Sequence, residues 1–257
     1  MFHVKEYVRP QSLQEAYELN QKRSSVLVAG MMWLKMGNGY KVTAVDLSGL
    51  GLDGIEEDEQ EFRIGCMCSL RQLELHPGLN ACFDGVFKEC TRHIVGTQFR
   101  NGATVGGSIF GRYGFSDILT CMMMLDAYVE LYKGGIVPLD TFAQMKYDRD
   151  ILVRVIIKKD GRRAAYVTQR NSKTDFPVIA CGAAKKDQQY FIAVGARPEK
   201  ARLVVMDRGN ETPAAVAKAA AEQYTYHSNM RAGGEYRRYL AEVYLRRLIE
   251  QLEKEEA

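Results

Sequence analysis

The chain reads as an α+β protein in three parts, and three patterns along its 257 residues predict this. The first sixty residues run strand, helix, strand between glycine-rich turns. The middle is dominated by apolar residues at helical spacing. From about residue 147, four strand-like runs are followed by two helices. Strands and helices segregated in this order mark α+β rather than a doubly wound sheet. With 46% hydrophobic residues the chain can bury a substantial core, and its length fits one large domain or two small ones. Its branched and aromatic residues exclude disorder. Lys and Arg number 35 against 32 Asp and Glu, and the two signs interleave, so no stripe for nucleic acid stands out. No run approaches the roughly 20 apolar residues of a membrane span. The first six residues carry a charge pair where a signal peptide needs an apolar stretch, so a cytoplasmic protein is expected.

Each element has its own warrant. Pro10 to Glu15 opens a helix, with Ser12 and Glu15 at capping-box spacing. Val26 to Ala29 is a short buried strand stopping at Gly30, and Ala44 to Leu47 is a second, giving a β-α-β unit with parallel strands. Phe62, Ile64 and Cys66 alternate as a half-buried strand should. Ser69 with Gln72 starts a short helix that His76-Pro77-Gly78 ends. Phe83, Val86, Phe87, Cys90 and Ile94 share a helix face, and His93 beside it reads as structural. Asp117 to Asp126 is a helix with Cys121 to Leu125 in the core. Val129 and Leu131 begin a strand that returns after Gly134-Gly135. Residues 151–159, 164–168, 178–184 and 190–194 read as antiparallel strands, with Asp160-Gly161 as a hairpin turn. Thr212-Pro213 opens an alanine-rich helix. Tyr236, Tyr239, Leu240, Val243, Tyr244 and Leu248 form the apolar stripe of the last helix.

Chemistry-bearing clusters are scarce. Of six cysteines only Cys66 and Cys68 are close, and C-x-C without a second pair is a poor metal signature. Two glycine loops stand out instead: Val28-Ala29-Gly30-Met31-Met32-Trp33 after a buried strand, and Thr104-Val105-Gly106-Gly107-Ser108. Adjacent glycines permit positive φ and let successive N–H groups converge on an anion, with Thr104 and Ser108 hydroxyls beside them. Neither loop matches G-x-G-x-x-G or the Walker pattern, which argues against classical nicotinamide and ATP sites. With no nucleophile–base pair in evidence, phosphate-type loops point to a cofactor that carries the chemistry itself.

The order of these features resembles the FAD-binding medium subunit of molybdenum hydroxylases, the group of xanthine dehydrogenase and carbon monoxide dehydrogenase. The likeness runs through Ala29-Gly30, Ile64-Gly65, the segment Gln98-Phe99-Arg100-Asn101-x-Ala103-Thr104-Val105-Gly106-Gly107-Ser108, Ser116-Asp117, Asp126-Ala127, Ile151-Leu152 and Tyr236-Arg237-Arg238. It implies a two-subdomain FAD-binding fold of the PCMH type over 1–146, with subdomains of about 1–57 and 58–146. A C-terminal antiparallel sheet with helices follows over 147–257. It implies that the first loop (Val28, Ala29, Gly30, Met31, Met32, Trp33, Leu34, Lys35) and the second (Thr104, Val105, Gly106, Gly107, Ser108) clasp the FAD pyrophosphate. Asp117 then binds a hydroxyl of the dinucleotide, and Leu152 lies near the flavin ring. The expected partners are a molybdopterin-binding large subunit and a 2Fe-2S small subunit, with NAD as a candidate acceptor; the hydroxylation itself belongs to the large subunit.

This sequence departs from the family pattern in the first loop, which usually reads Ala-Gly-Gly-Thr. Here Met31 and Met32 replace a glycine and the phosphate-binding hydroxyl. Ser108 stands for a common asparagine, Gly114 for a proline, and Val167 for a lysine beside the flavin. The second loop is therefore expected to dominate cofactor affinity. Met31, Met32 and Trp33 either pack against a ring of FAD or fill its pocket. A flavin-free scaffold subunit of the same complex is the alternative.

Overall fold

The computed structural model describes residues 1–254. The first part is the expected parallel unit, enlarged by one strand. Helix α1 (Leu13–Gln21) connects β1 (His3–Val8) to β2 (Ser25–Val28), and β3 (Tyr40–Asp46) lies between the two strands, parallel to both. Ser12 caps α1 by accepting from Glu15 N, while Glu15 reaches Gln11 N rather than the cap residue. Strand β1 is exposed along nearly all its length, so it carries none of the buried alternation that marks a strand in sequence.

The middle part joins a five-stranded antiparallel sheet to short helices. Its strands are β4 (Ile55–Glu57), β5 (Glu61–Gly65), β6 (Ala127–Leu131), β7 (Gly135–Pro138) and β8 (Leu152–Lys158), in the order β4-β5-β8-β6-β7. The helices are α2 (Leu70–Leu75), α3 (Pro77–Cys82), α4 (Val86–Thr91), α5 (Thr97–Gly102), α6 (Val105–Phe110), α7 (Asp117–Met123) and α8 (Leu139–Gln144). Ser69 and Gln72 form the full capping box of α2. The run at 151–159, expected in the C-terminal sheet, is instead the central strand here, and the sheet extends past the expected boundary at 146/147. Asp160-Gly161 is accordingly no hairpin. Gly161 takes φ +80°, Asp160 accepts from Arg162 Nε at 3.0 Å, and the chain crosses to another sheet.

That last sheet is an antiparallel meander of β9 (Arg163–Arg170), β10 (Pro177–Lys186), β11 (Gln189–Gly195) and β12 (Arg202–Asp207), followed by α9 (Pro213–Glu222) and α10 (Gly234–Lys254). It is covered on both faces. Ala180, Ala184 and Ala193 pack toward the middle part, while Cys181, Ala183, Ile192 and Val194 pack on α9 and α10. Such double burial explains why β10 is built from small residues: a Cβ on Gly182 would lie 2.7 Å from Met124 Sδ. The stripe of α10 is rotated from the expected one. Tyr236 and Tyr239 are exposed, and Arg237 is buried, donating to Val178 O and Asn229 Oδ1.

Candidate functional site

A cavity of about 580 Å³ lies where the three parts meet. Residues 26–34 form one wall, segments of α5 to α7 another, and the β9–β10 connection the third. Its size falls within the range of small-molecule sites.

The structure brings most of the expected residues to it. Val28, Ala29, Gly30, Met31, Met32, Trp33 and Leu34 line the cavity, as do Thr104, Gly107, Ser108 and Asp117. Lys35, Val105, Gly106 and Leu152 do not. Lys35 turns back toward Met32 Sδ, and Val105 is in the core. Gly106 packs against Cys66. Leu152 is buried in β8 opposite Leu131, held there by the sheet register.

The second loop is a helix start, not a glycine nest. Neither Gly106 nor Gly107 has positive φ. Thr104 is the N-cap of α6, its Oγ1 accepting from Gly107 N at 3.2 Å. The neighbouring amides are also engaged: Val105 N donates to Cys68 O at 2.8 Å, Gly106 N to Cys66 O at 2.8 Å, and Ser108 N to Thr104 O at 3.1 Å. A protein acceptor therefore holds each of the four N–H groups that sequence reasoning aimed at a phosphate.

The first loop is the opposite case. Gly30, Met31, Met32 and Trp33 have amides with no acceptor among the described residues. Met31 takes φ +55°, a left-handed conformation that an L side chain adopts at a cost. It stands where the family pattern has its second glycine. Met32 lies over the end of α5, where a Cβ on Gly102 would be 2.9 Å from its Sδ.

The charge at the site comes from residues far apart in sequence. Asp117 Oδ2 accepts from Arg170 Nη2 at 2.6 Å, and Oδ1 accepts from the Tyr166 hydroxyl at 3.0 Å. Burial raises the Asp117 carboxyl above its ordinary range, against the opposing pull of Arg170 and Tyr166. The side chain of Arg170 is itself buried, donates through Nη1 to Asp175 O, and leaves its Nε–H without a partner. A buried orphan donor on a cation at a cavity wall is the kind of group that a bound anion satisfies. No local pattern around Arg170 signalled this, because only the tertiary fold brings β9 to α7. The ring cluster of Trp33, Phe99, Phe115 and Phe176 at the cavity mouth was missed for the same reason.

Free amides, an orphan guanidinium donor and aromatic rings are the groups that a dinucleotide needs, so the residues fit FAD. Burial, with Cys68 beside it, pushes the Cys66 thiol up to about 12, and burial raises Cys68 to about 11. Among the described residues no group of three or more His, Cys, Asp and Glu is placed to hold a metal. No helix among them is long and apolar enough to cross a membrane.

Comparison with known proteins agrees with this geometry. Residues 2–159 match the family described as the FAD binding domain in molybdopterin dehydrogenase. The uncharacterized protein YgfM of Escherichia coli (strain K12) is 26% identical over 251 residues, spanning 93% of each chain. The fold is similar to a chain of quinoline 2-oxidoreductase from Pseudomonas putida 86, with a TM-score of 0.85, 20% identity and coverage of 97% of this chain and 96% of that one. It is also similar to a chain of carbon monoxide dehydrogenase from Hydrogenophaga pseudoflava, with a TM-score of 0.83, 21% identity and coverage of 95% and 96%.

Proposed function

This chain belongs to the family of FAD-binding domains of molybdopterin dehydrogenases, and from that premise we propose that it is the electron-transfer subunit of a cytoplasmic molybdenum hydroxylase. In this reading a large subunit holds molybdopterin and hydroxylates the substrate, and a small subunit carries 2Fe-2S clusters. FAD, when bound here, would supply the exchange between one-electron and two-electron transfer, with NAD or another molecule as the acceptor. The chain's own residues bind and orient. The amides of 30–33 and the Arg170 Nε–H would hold the pyrophosphate, Asp117 would accept from a hydroxyl, and the rings around the mouth would keep water from the bound cofactor. No side chain has to act as acid or base.

The observation that carries this reading is the pairing of unsatisfied donors, four loop amides and one buried guanidinium N–H, around one cavity. Titrating FAD into the flavin-stripped chain tests it. Saturable quenching of flavin fluorescence at one FAD per chain is expected, with all flavin released by acid because no His or Cys lies in either loop to bond it covalently. The replacement of the first loop's glycine and hydroxyl by Met31 and Met32 favours the flavin-free scaffold reading. Absence of saturable binding would establish that reading instead.

A further inference from the structure

Trp33 is the only tryptophan of the chain. It stands at the cavity mouth, 49% exposed, with rings from two other parts of the chain around it. Its indole stacks on Phe176 at 5.2 Å between centroids and 23° between planes. It meets Phe99 at 5.9 Å and Phe115 at 6.2 Å, both edge-on. Stacked rings sit with centroids about 4.5–7 Å apart, so a third ring entering between two needs roughly twice the spacing. The Trp33–Phe176 gap admits none. The loop bearing Trp33 is held at Met31 in a left-handed conformation, and its amides are unpaired. Its carbonyls are bonded only within its own turn, Met31 O accepting from Lys35 N and Trp33 O from Met36 N at 3.0 Å each, so a movement of the turn as a unit breaks no backbone bond to another element.

We propose that Trp33 is a plug: its indole fills the aromatic slot against Phe176 and Phe115 that a planar ring of the dinucleotide takes on binding, so the ring enters only as Trp33 leaves. The proposal rests on the FAD reading of the cavity. It makes Trp33 a determinant of affinity that opposes binding, rather than a contact that favours it. Either planar ring of FAD, adenine or isoalloxazine, has the chemistry to take the slot.

The test is a set of titrations on the whole chain, comparing wild type, Trp33→Ala and Trp33→Phe with FAD, ADP and FMN as separate probes. Trp33→Ala is expected to bind FAD ~10–100-fold more tightly, the gain from a few ring contacts that need not be broken. Trp33→Phe, with a smaller ring, falls between it and wild type, and this variant alone suffices should the alanine chain fail to fold. A gain shared by ADP assigns the slot to adenine, and one shared by FMN assigns it to isoalloxazine. FAD binding by wild type that is unchanged or weakened in both variants overturns the plug alone. Binding of FAD by none of the three chains overturns the cofactor reading, and the plug falls with it.

Discussion

Gly30 and Gly102 meet backbone to backbone: a Cβ on Gly30 would lie 1.5 Å from the Gly102 carbonyl oxygen. The first loop thus rests on the end of α5, two residues before the Thr104 cap of α6, and the two loops hold a common position. Close approach, not positive φ, is what requires glycine at position 30.

Gly30→Ala must therefore part the two loops. Overpacking of this kind costs about 1–3 kcal/mol. Thermal unfolding should show the loss as a midpoint lowered by several degrees, about 2–4 °C per kcal/mol at this size. An unchanged midpoint would mean that the loops do not meet in this way.

Arg100, the arginine of the R-N-x-A-T segment, serves the fold. It donates through Nε and Nη2 to the two carboxylate oxygens of Glu74 at 2.8 and 3.1 Å, both side chains being buried, and so clamps α5 to α2. Removing it by Arg100→Ala leaves a buried carboxylate short of its main partner, at a cost of about 3–5 kcal/mol. Burial pushes the Glu74 carboxyl up, but the hydrogen bonds and charges of Arg100 and Arg71 outweigh it and hold the carboxyl below its usual 4.5. An acid lowered in the folded state stabilises above its unfolded pKa, and that contribution is lost as pH falls through the folded value. Urea unfolding of wild type and Glu74→Gln should therefore differ most near neutral pH and converge below about pH 4.5. A difference that persists undiminished at pH 3 would refute the pairing as its source.

Met31→Gly should stabilise. The left-handed conformation at φ +55° costs an L residue about 1 kcal/mol, which glycine does not pay. Met31→Val, branched at Cβ, should be less stable than wild type. Chemical denaturation of the three chains orders them; glycine ranking below methionine would contradict the observed backbone.

Local chemistry was the part of the fold written legibly in the sequence. The Ser69–Gln72 capping box, the Thr212 cap and the buried strand before Gly30 each depend on residues a few positions apart, and each is present. Partnership was not legible. The apolar run at 151–159 predicts a strand, but nothing in those residues says that β5 and β6 flank it rather than β9. In α10 the period is right and the phase is off, because buried Arg237 finds acceptors that only the tertiary fold supplies. At the site the first loop and Asp117 were found from motif residues, whereas Arg170 and Phe176 arrive from the third part of the chain. A Gly-Gly pair reads alike in a nest and at a helix start, and only φ separates the two.

Gly106 and Gly107 should respond oppositely to the same substitution. They are neighbours in the first turn of α6, but a Cβ on Gly106 would lie 2.7 Å from both Cys66 Cβ and Cys66 O, while the Gly106 amide is already bonded to that carbonyl. Gly106→Ala must therefore displace the connection after β5, at a cost of about 1–3 kcal/mol. A Cβ on Gly107 would meet only Thr104 Oγ1, at 3.2 Å, on the side that lines the cavity. Alanine inside a helix gains about 0.5–1 kcal/mol over glycine, which the tight contact with the cap hydroxyl offsets, so stability should change little. The added methyl instead enters the space beside the Thr104 cap, and FAD affinity should fall about tenfold, equivalent to about 1.4 kcal/mol. Thermal melts and FAD titrations on both variants separate the two effects. A stable Gly106→Ala chain with weakened flavin binding, beside a destabilised Gly107→Ala chain, would place the wrong glycine on the cavity.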